Sequence, residues 1–237
     1  GAQWGPDVNG NLQASAAPIA YDVRKADTYV YAPKVKVTDG KAALSAGKEY
    51  IVTPHNCKQS EVREYLTALA SLQESTPSAA EIQQVRSLKP YVVVTAKDGS
   101  GYAADNEGFR VDVDIYQNKL TQKNLYVLVS EDEAQTTYTK GQVRPDVTVY
   151  YGDAEGVKKA KKDKVTDENV LTDSSGQYGL KKLNYISDGI GDYTLTYGKN
   201  VAAGKNKGSV TVNGAGLYGG SVTVKFTIQR RDVYKIG

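Results

Sequence analysis

Three short motifs hold residues that could carry chemistry, and the first is GAGLYG. Its Gly214, Gly216 and Gly219 fit the G-x-G-x-x-G pattern of dinucleotide-binding loops. Such a loop holds a pyrophosphate where a helix follows it directly, because the helix N-terminus faces the phosphates. The residues that follow here, SVTVKFTI, alternate polar and apolar side chains with the period of a strand. The pattern therefore predicts a hairpin turn, and we expect no cofactor.

The second motif is TPHNCK, which places His55 two residues before Cys57. These are the single histidine and the single cysteine of the chain, so they cannot complete a zinc site or a disulfide within it. A nucleophilic Cys–His pair needs a geometry that such close positions at a strand-to-helix junction rarely give. We interpret Cys57 as a small buried or half-buried side chain and expect no metal.

The third motif is FRVDVDI, residues 109–115, in which Asp112 and Asp114 share one strand face with Arg110. Paired carboxylates are the acid and base of glycoside hydrolases. The corresponding strand near the C-terminus carries Thr223 and Lys225 at these positions. The pattern therefore favours a solvated strand face, and we expect no catalytic residue and no enzyme activity.

Three further sets of side chains could bind a ligand. Acidic loops could hold calcium, a lysine run could contact an anionic polymer, and tyrosines could stack on sugars. The sets are residues 104–108, 173–176 and 188–192; Lys158, Lys159, Lys161, Lys162 and Lys164; and Tyr150, Tyr151, Tyr178 and Tyr185. Because the loops lack EF-hand spacing and the lysines lack interleaved aromatic residues, we expect polar turns and a solvated helix or loop. For the tyrosines we expect core and sheet-face packing.

Composition narrows the partners and the location. The net charge of +3 over 237 residues is too small to predict a nucleic-acid partner. No apolar run approaches the roughly 18 residues that a membrane-spanning helix needs. The chain has no methionine and begins with Gly1. We therefore expect a piece of a longer protein, with any signal peptide or anchor outside it.

The sequence repeats itself. Four landmarks occur twice in the same order: PKVKV and PDVTV, GKEYIVT and GDYTLTY, VVVTAKDGSGY and SVTVNGAGLY, and FRVDVDI and SVTVKFTI. They predict two domains, residues 1–118 and 119–237, with a short linker near 117–123 and a first strand of the second domain in 124–129. Short alternating strands between glycine turns predict a mostly β chain of two tandem antiparallel β-sandwiches.

Helical segments are predicted as insertions on this β frame. An insertion at about 58–89 carries apolar residues at helical spacing over 60–74, and Ser78 with Glu81 forms a capping box for a second helix over 79–88. The second domain instead has a polar connection, residues 156–172, whose composition allows a helix.

Residues 138–232 resemble the immunoglobulin-like repeats of surface proteins from Gram-positive, mostly gut, bacteria. The matching residues are Tyr193, Thr194, Tyr197, Asn200, Ala203, Gly204, Val210, Val212, Gly214, Gly216, Tyr218, Gly219 or Gly220, Phe226 and Ile228. Upstream, YTKGQVRPDVTV resembles the opening of such a repeat, with Lys140 in place of the usual glycine. The resemblance implies immunoglobulin-like sandwiches with no shared catalytic residues.

The resemblance also implies a function. We expect a stalk or adhesion module, secreted or attached to the cell wall, whose partners are a glycan, a wall polymer, a host surface protein or neighbouring repeats. The rival expectation is a carbohydrate-binding accessory module of an extracellular glycoside hydrolase. The last strand, SVTVKFTIQRR, contains no asparagine. We therefore expect no Lys–Asn isopeptide bond there.

Overall fold

The computed structural model describes residues 2–3, 12–74, 76–103, 108–171 and 176–235. The chain divides into two compact units, Gly1–Asn118 and Lys119–Gly237. It is mostly β, with several small antiparallel sheets and a few helices.

The first unit consists of short strands with a pair of helices between two of them. In chain order its elements are β1 (Ala2–Gln3), β2 (Leu12–Ala16), β3 (Ile19–Ala20), β4 (Val35–Asp39), β5 (Ala42–Ala43), β6 (Tyr50–His55), α1 (Gln59–Gln73), α2 (Ala79–Ser87), β7 (Tyr91–Ala96), β8 (Tyr102–Ala103), β9 (Phe109–Asp112) and β10 (Ile115–Tyr116). Two antiparallel sheets, β2-β4-β5 and β6-β7-β9, form its frame. Two parallel pairs, β1 with β8 and β3 with β10, complete it.

The second unit has the same frame. Its elements are β11 (Asn118–Lys119), β12 (Leu125–Val129), α3 (Glu133–Thr136), β13 (Val147–Tyr151), α4 (Ala154–Asp163), α5 (Asp167–Leu171), β14 (Lys181–Lys182), β15 (Tyr193–Tyr197), β16 (Gly204–Gly214), β17 (Tyr218–Gly219), β18 (Ser221–Ile228) and a 3-10 turn (Val233–Lys235). The antiparallel sheets are β12-β13-β14 and β15-β16-β18, and β11 pairs with β17. A parallel bridge between Thr137 and Gln229 stands where the first unit has β3 and β10.

The four repeated landmarks of the sequence lie on matching strands of the two frames. They fall on β4, β6, β7 and β9 in the first unit and on β13, β15, β16 and β18 in the second. Their apolar residues point inward: Val37, Val149 and Ile228 are fully buried, because period-two alternation places every second side chain on one face.

Both sheets of the second unit contribute to one core. Val210, Phe226 and Ile228 from the second sheet pack with Val129 and Val147 from the first. In each unit a tyrosine of the second sheet also bonds to the start of a first-sheet strand or to the residues just before it. Tyr50 Oη donates to Val35 O at 3.0 Å, and Tyr197 Oη donates to Pro145 O at 2.6 Å.

Helices are inserted at different places in the two frames. In the first unit α1 and α2 lie between β6 and β7, and Val62, Leu66 and Leu69 of α1 are almost completely buried. The predicted capping box is present, with Ser78 Oγ accepting from Glu81 N at 3.2 Å and Glu81 Oε2 accepting from Ser78 N at 2.7 Å.

In the second unit the short helix α3 lies between β12 and β13, whereas α4 and α5 lie between β13 and β14. The α4 helix buries Val157 and Ala160 against Tyr126 and Tyr150, on the side of the first sheet that faces away from the shared core. This sheet is therefore covered on both faces, because the odd and even residues of β12 and β13 enter two different cores.

One strand prediction and one linker prediction are wrong. Residues 109–115 are not one strand, because β9 pairs with β7 whereas β10 turns away to pair with β3. The predicted linker at 117–123 contains β11, and Leu120 within it is 2% exposed with its N–H donating to Gly219 O at 2.7 Å. From Lys119 onward the segment is therefore part of the second unit's packed structure.

In both units the same hydrogen bond holds the loop that precedes the second sheet, and we call this arrangement the acid clamp. A carboxylate just before a buried tyrosine accepts a backbone N–H from the loop: Glu49 from Ser45 at 2.6 Å, and Asp192 from Asn184 at 2.7 Å. The tyrosine itself forms a parallel bridge to the next loop residue, Ala46 with Tyr50 in one unit and Tyr185 with Tyr193 in the other. The clamp thus sets where β6 and β15 begin.

Candidate functional site

The outer face of the sheet β6-β7-β9 carries a cluster of aromatic and charged side chains. The register places His55 and Asp112 on either side of Tyr91, and Arg110 one pair along the same face. Because directly paired residues point to the same side of a sheet, all four side chains stand together on the surface. We call this set, His55, Tyr91, Arg110 and Asp112, the stacked face.

The rings and the guanidinium of the stacked face lie in layers. The His55 ring is parallel to the Tyr91 ring, with centroids 4.8 Å apart and planes 7° apart. Arg110 comes from the strand on the other side of β7, and its Cζ lies 3.9 Å from the Tyr91 ring centroid. Arg110 Nε also donates to Asp112 Oδ1 at 2.9 Å. The arginine is therefore held by a cation–π contact and a charge-assisted hydrogen bond.

Apolar side chains border the stacked face on the same surface. Ile51 is 46% exposed and Val93 is half-buried in the neighbouring rows of β6 and β7. Surface tyrosine, arginine and aliphatic residues that are held in fixed conformations are typical of recognition surfaces, because little side-chain entropy remains to be lost on binding. The arrangement is suited to contacting a partner by hydrogen bonds and ring edges.

The same face of the second unit, on β15-β16-β18, is chemically different. Its rows align Thr196 with Thr211 and Thr223, and Asn213 with Ser221. These groups bond to one another: Thr211 Oγ1 to Thr223 Oγ1 at 2.7 Å, Asn213 Nδ2 to Thr196 Oγ1 at 2.9 Å, and Ser221 Oγ to Asn213 Oδ1 at 3.0 Å. We call this set the hydroxyl ladder; it is neutral and pairs its own polar groups.

The side chains of His55 and Cys57 make separate contacts. Cys57 is buried, and its Sγ donates to the backbone oxygens of His55 at 3.2 Å and Tyr91 at 3.7 Å, while the His55 ring stacks on Tyr91. Burial raises the pKa of the Cys57 thiol. A raised pKa disfavours the reactive thiolate, which agrees with the interpretation of Cys57 as a buried structural side chain.

The two carboxylates of FRVDVDI are separated by their partners. Asp112 pairs with Arg110, whereas Asp114 lies beyond the end of β9 and pairs with Lys89 Nζ at 3.3 Å. Asp112 and Asp114 are about half and two-thirds exposed, respectively. Each carboxylate is therefore a solvated member of its own ion pair.

The glycine motif is the connection between two antiparallel strands. The predicted strand after it is confirmed as β18, which pairs with β16 from Asn213 opposite Ser221 onward. Gly216 has a φ of +61°, which favours glycine in the turn. Gly214 is needed for a different reason: a Cβ there would lie 2.7 Å from Gly219 N. The glycines thus allow a turn and a close backbone approach.

The acidic loops serve as turns where the structure describes them. Residues 104–107 and 173–175 lie outside the described residues. In the third loop Asp188 and Gly189 both have positive φ between the bridged residues Ser187 and Ile190, as in a two-residue hairpin turn. Within the described ranges, no group of three or more His, Cys, Asp or Glu is placed to hold a metal ion.

The lysine run forms much of α4. Asp153 caps the helix by accepting from Gly156 N at 2.7 Å, and the helix ends at Lys164, which has a φ of +50°. Lys159 Nζ donates to Gln177 Oε1 at 3.0 Å, and Lys161 Nζ to Gln122 O at 2.7 Å. The predicted solvated helix is confirmed, with two of its lysines fixed by neighbouring loops.

The four tyrosines considered for sugar stacking have different surroundings. Tyr150 and Tyr178 belong to the core under α4, at 0% and 9% exposure. Tyr151 is half-buried and makes an edge contact with Tyr218 at 5.1 Å. Tyr185 is 55% exposed and rests edge-on against Tyr193. The structure therefore confirms packing for most of these rings and leaves Tyr185 as the exposed one.

Asn200, one of the residues that carry the family resemblance, has a structural role. It lies in the left-handed conformation with a φ of +50° and is 4% exposed. Its amide nitrogen donates to Val143 O and Ser209 O, and its side-chain oxygen accepts from Ser209 N at 2.8 Å. It joins the turn before β16 to the segment that leads into β13.

Sequence reasoning missed the stacked face. His55 and Arg110 stand in separate motifs, and Tyr91 stands in neither, because the helical insertion separates β6 from β7 in the chain. The signal was available in the alternation of both segments: pairing EYIVTPH with YVVVTA in a hairpin places His55 opposite Tyr91.

Comparison with known proteins gives no relative: no family model, no curated protein and no solved structure matches the chain. Among the residues that the structure describes, none of the helices is both long and apolar enough to cross a membrane.

Proposed function

We propose that this chain is a non-catalytic stalk and adhesion module of a bacterial surface or secreted protein, built from two tandem immunoglobulin-like β-sandwiches. The observation that carries the proposal is the repetition of one frame. Both units have the same two three-stranded sheets, the same edge pairings and the same acid clamp. Serial copies of one fold are a common way to build an extended spacer.

A face-to-face arrangement of the sheets is the finer part of this proposal. It is supported by the core that Val129, Val147, Val210 and Phe226 share, and by the hydroxyls of Tyr50 and Tyr197, which bond to the beginning of β4 and to the residue shortly before β13. Aligned sheets with interdigitated inner faces are the defining packing of β-sandwiches.

The adhesive contact is assigned to the stacked face of the first unit. Its arginine and tyrosine are ordered before any partner arrives, and Ile51 offers exposed apolar area beside them. Such residues dominate binding energy where they are buried by a partner. The partner classes that fit are a glycan, a cell-wall polymer or a host surface protein.

Pulling a single molecule by its two ends tests the stalk role. We expect two separate unfolding events, each releasing about 400 Å of chain, because about 118 residues extend at about 3.4 Å each. Unfolding of the whole chain in one event, or without measurable resistance, would contradict a tandem load-bearing module. Mild destabilisation of one unit should lower the force of one event only.

Binding to a glycan array and to a panel of extracellular-matrix proteins tests the adhesive role. We expect Tyr91→Ala with Arg110→Ala to abolish the strongest binding signal of the wild-type chain. The matched control, Thr211→Ala with Thr223→Ala, removes side chains from the same face of the second unit and should leave that signal unchanged. Equal loss in both double variants, or no loss in either, would overturn the assignment to the stacked face.

The rival function, a carbohydrate-binding accessory module, has one supporting observation. Tyr185 is 55% exposed and is braced by Tyr193, with ring centroids 5.7 Å apart, as a sugar-stacking platform would require. Micromolar binding to a glycan that is lost in Tyr185→Ala, and retained in the stacked-face variant, would favour this function over adhesion by the first unit.

A further inference from the structure

Each unit is completed by a two-residue strand at its beginning. β1 pairs in parallel with β8, and β11 pairs with β17. In the second unit the residue after this strand, Leu120, is 2% exposed, and its N–H donates to Gly219 O at 2.7 Å. Residues 119 and 120 also lie against Gly220. In the second unit the short strand β11 therefore covers the edge strand β17, which follows the glycine turn. The buried side chain of Leu120 comes directly after β11, and we call it the anchor.

The end of the second unit has the same geometry as the segment that leads into this strand. Tyr116 ends the first unit's last pairing, and its oxygen accepts from Tyr21 N at 2.8 Å. Gln229 has the equivalent place in the second unit, and its oxygen accepts from Tyr138 N at 2.9 Å. Counting onward from these two residues, Asn118–Lys119 corresponds to residues 231–232.

The residue equivalent to the anchor is then Val233, and its surroundings are the opposite of those of Leu120. Val233 is 67% exposed, and the neighbouring Tyr234 is 94% exposed. Two large apolar side chains side by side in water are unfavourable, because each leaves area that burial would stabilise. The segment has the position and the apolar residue of a first strand, but within the described part of the chain it pairs with no strand edge.

We propose that residues 231–233 are a donor strand that pairs with the edge of a further repeat, with Val233 in the place that Leu120 has in the second unit. The partner is a unit of the same frame whose edge strand, equivalent to Tyr218–Gly219, is still uncovered. Within this chain β1 and β11 already cover the two equivalent edges. The inference rests on the proposed stalk function and gives the physical link from one repeat to the next.

A graft within the full chain tests whether the segment can act as a first strand. The triple variant N118R/K119D/L120V places the sequence of residues 231–233 at β11. We expect the melting temperature of the second unit to stay within about 8 °C of wild type, since Leu to Val removes one methylene. The control L120D should lower it by at least twice as much. If the graft is as damaging as L120D, the proposal is overturned.

A longer chain tests the pairing directly. Residues 121–237 are appended after Val233, so that the third unit must use residues 231–233 as its first strand. Hydrogen exchange should then be as slow at the Val233 amide as at Leu120, whereas in the original chain we expect fast exchange at Val233. A third unit that folds while Val233 still exchanges fast would refute the proposal.

A failure of the donor-strand proposal can be distinguished from a failure of the proposed stalk function. The pulling and binding measurements use the original chain, in which the donor strand has no partner edge. The graft and exchange measurements report strand pairing, whatever the chain binds or bears. V233D in the longer chain provides the matched negative control, because it should destabilise the third unit and leave the first two unchanged.

Discussion

The outer faces of the second sheets show how one frame can carry two kinds of surface. In the first unit, β6-β7-β9 presents the stacked face, with one cation and one anion held around Tyr91. In the second unit, β15-β16-β18 presents the hydroxyl ladder, whose groups bond to each other across the strands. The inner residues keep the fold, so the outer residues are free to differ.

The helices extend this comparison. In the first unit α1 and α2 lie in the connection between β6 and β7 of the second sheet. In the second unit α4 and α5 lie in the connection between β13 and β14 of the first sheet. In both places the frame keeps its strand order, which indicates that each insertion is accommodated locally. The difference between the units can therefore be probed one insertion and one face at a time.

Removing a buried side chain from α1 should have the largest effect. Leu66 is 1% exposed, so Leu66→Ala should destabilise the first unit by about 3 kcal/mol through lost burial and a cavity. Chemical denaturation followed by unit-specific hydrogen exchange should show the first unit unfolding earlier, with the second unchanged. Equal destabilisation of both units would mean that they do not unfold independently.

Crowding the contact of α4 should have the next largest effect, in the other unit. A Cβ at Gly156 would lie 2.0 Å from Tyr178 O, so Gly156→Ala should cost the second unit about 2 kcal/mol by displacing the helix. Gly141→Ala is the matched control, because its Cβ would approach only Thr139 Oγ1, at 3.7 Å. A destabilisation by Gly141→Ala as large as that by Gly156→Ala would argue against tight packing of α4.

Alkaline pH should weaken both units through buried phenols. Burial raises the pKa of Tyr65 and of Tyr218 to about 12, with nearby carboxylates adding to the shift: Asp114 and Asp112 for Tyr65, and Asp192 for Tyr218. The pKa of each phenol is thus higher in the folded state than the unfolded value of about 10. The protonated phenol therefore contributes stability that is fully present below pH 10 and is lost as the pH rises towards 12.

We expect this loss to be between about 1 and 2 kcal/mol for each unit. It is measured by denaturation at pH 9 and at pH 11.5, with tyrosinate absorbance followed in parallel. Tyr65→Phe should reduce the pH dependence of the first unit only, and Tyr218→Phe that of the second unit only. If neither variant changes the pH dependence, other groups dominate the alkaline transition.

The smallest effect on stability is expected from substitutions on the outer faces of the two second sheets. Tyr91→Ala removes a half-exposed ring and one cation–π contact, and should cost about 1 kcal/mol. Replacing both Thr211 and Thr223 by valine should change stability by about 0.5 kcal/mol or less, since valine fits a strand surface and the lost hydrogen bond is exposed. Urea denaturation would measure both changes in stability, as shifts of the unfolding midpoint at an unchanged slope of free energy against urea concentration.

Strands and helix caps could be predicted from the sequence, because they depend on local patterns. Alternation identified β18, and the capping box identified α2. The break between β9 and β10 could not be predicted in this way, since Val113 and Asp114 continue the alternation. It arises because Ile115 and Tyr116 pair with β3, a contact between distant parts of the chain.

The candidate site was harder to predict than the frame. The stacked face depends on the register between β6 and β7, which lie on either side of two helices. The core under α4 was hidden for another reason. Among its lysines the helix offers only Gly156, Val157 and Ala160 as a buried stripe, which is too narrow to stand out from a charged surface helix.

The acid clamp has a practical consequence for protein engineering. It holds each loop at its base, while the loop itself spans different lengths: Ala46 to Tyr50 in one unit and Tyr185 to Tyr193 in the other. Because loop closure costs only about 0.6 kcal/mol for each doubling of length, foreign peptides inserted at the tip, between Asp188 and Gly189, should be tolerated. The tip of this clamped loop is therefore a natural position for displaying an epitope.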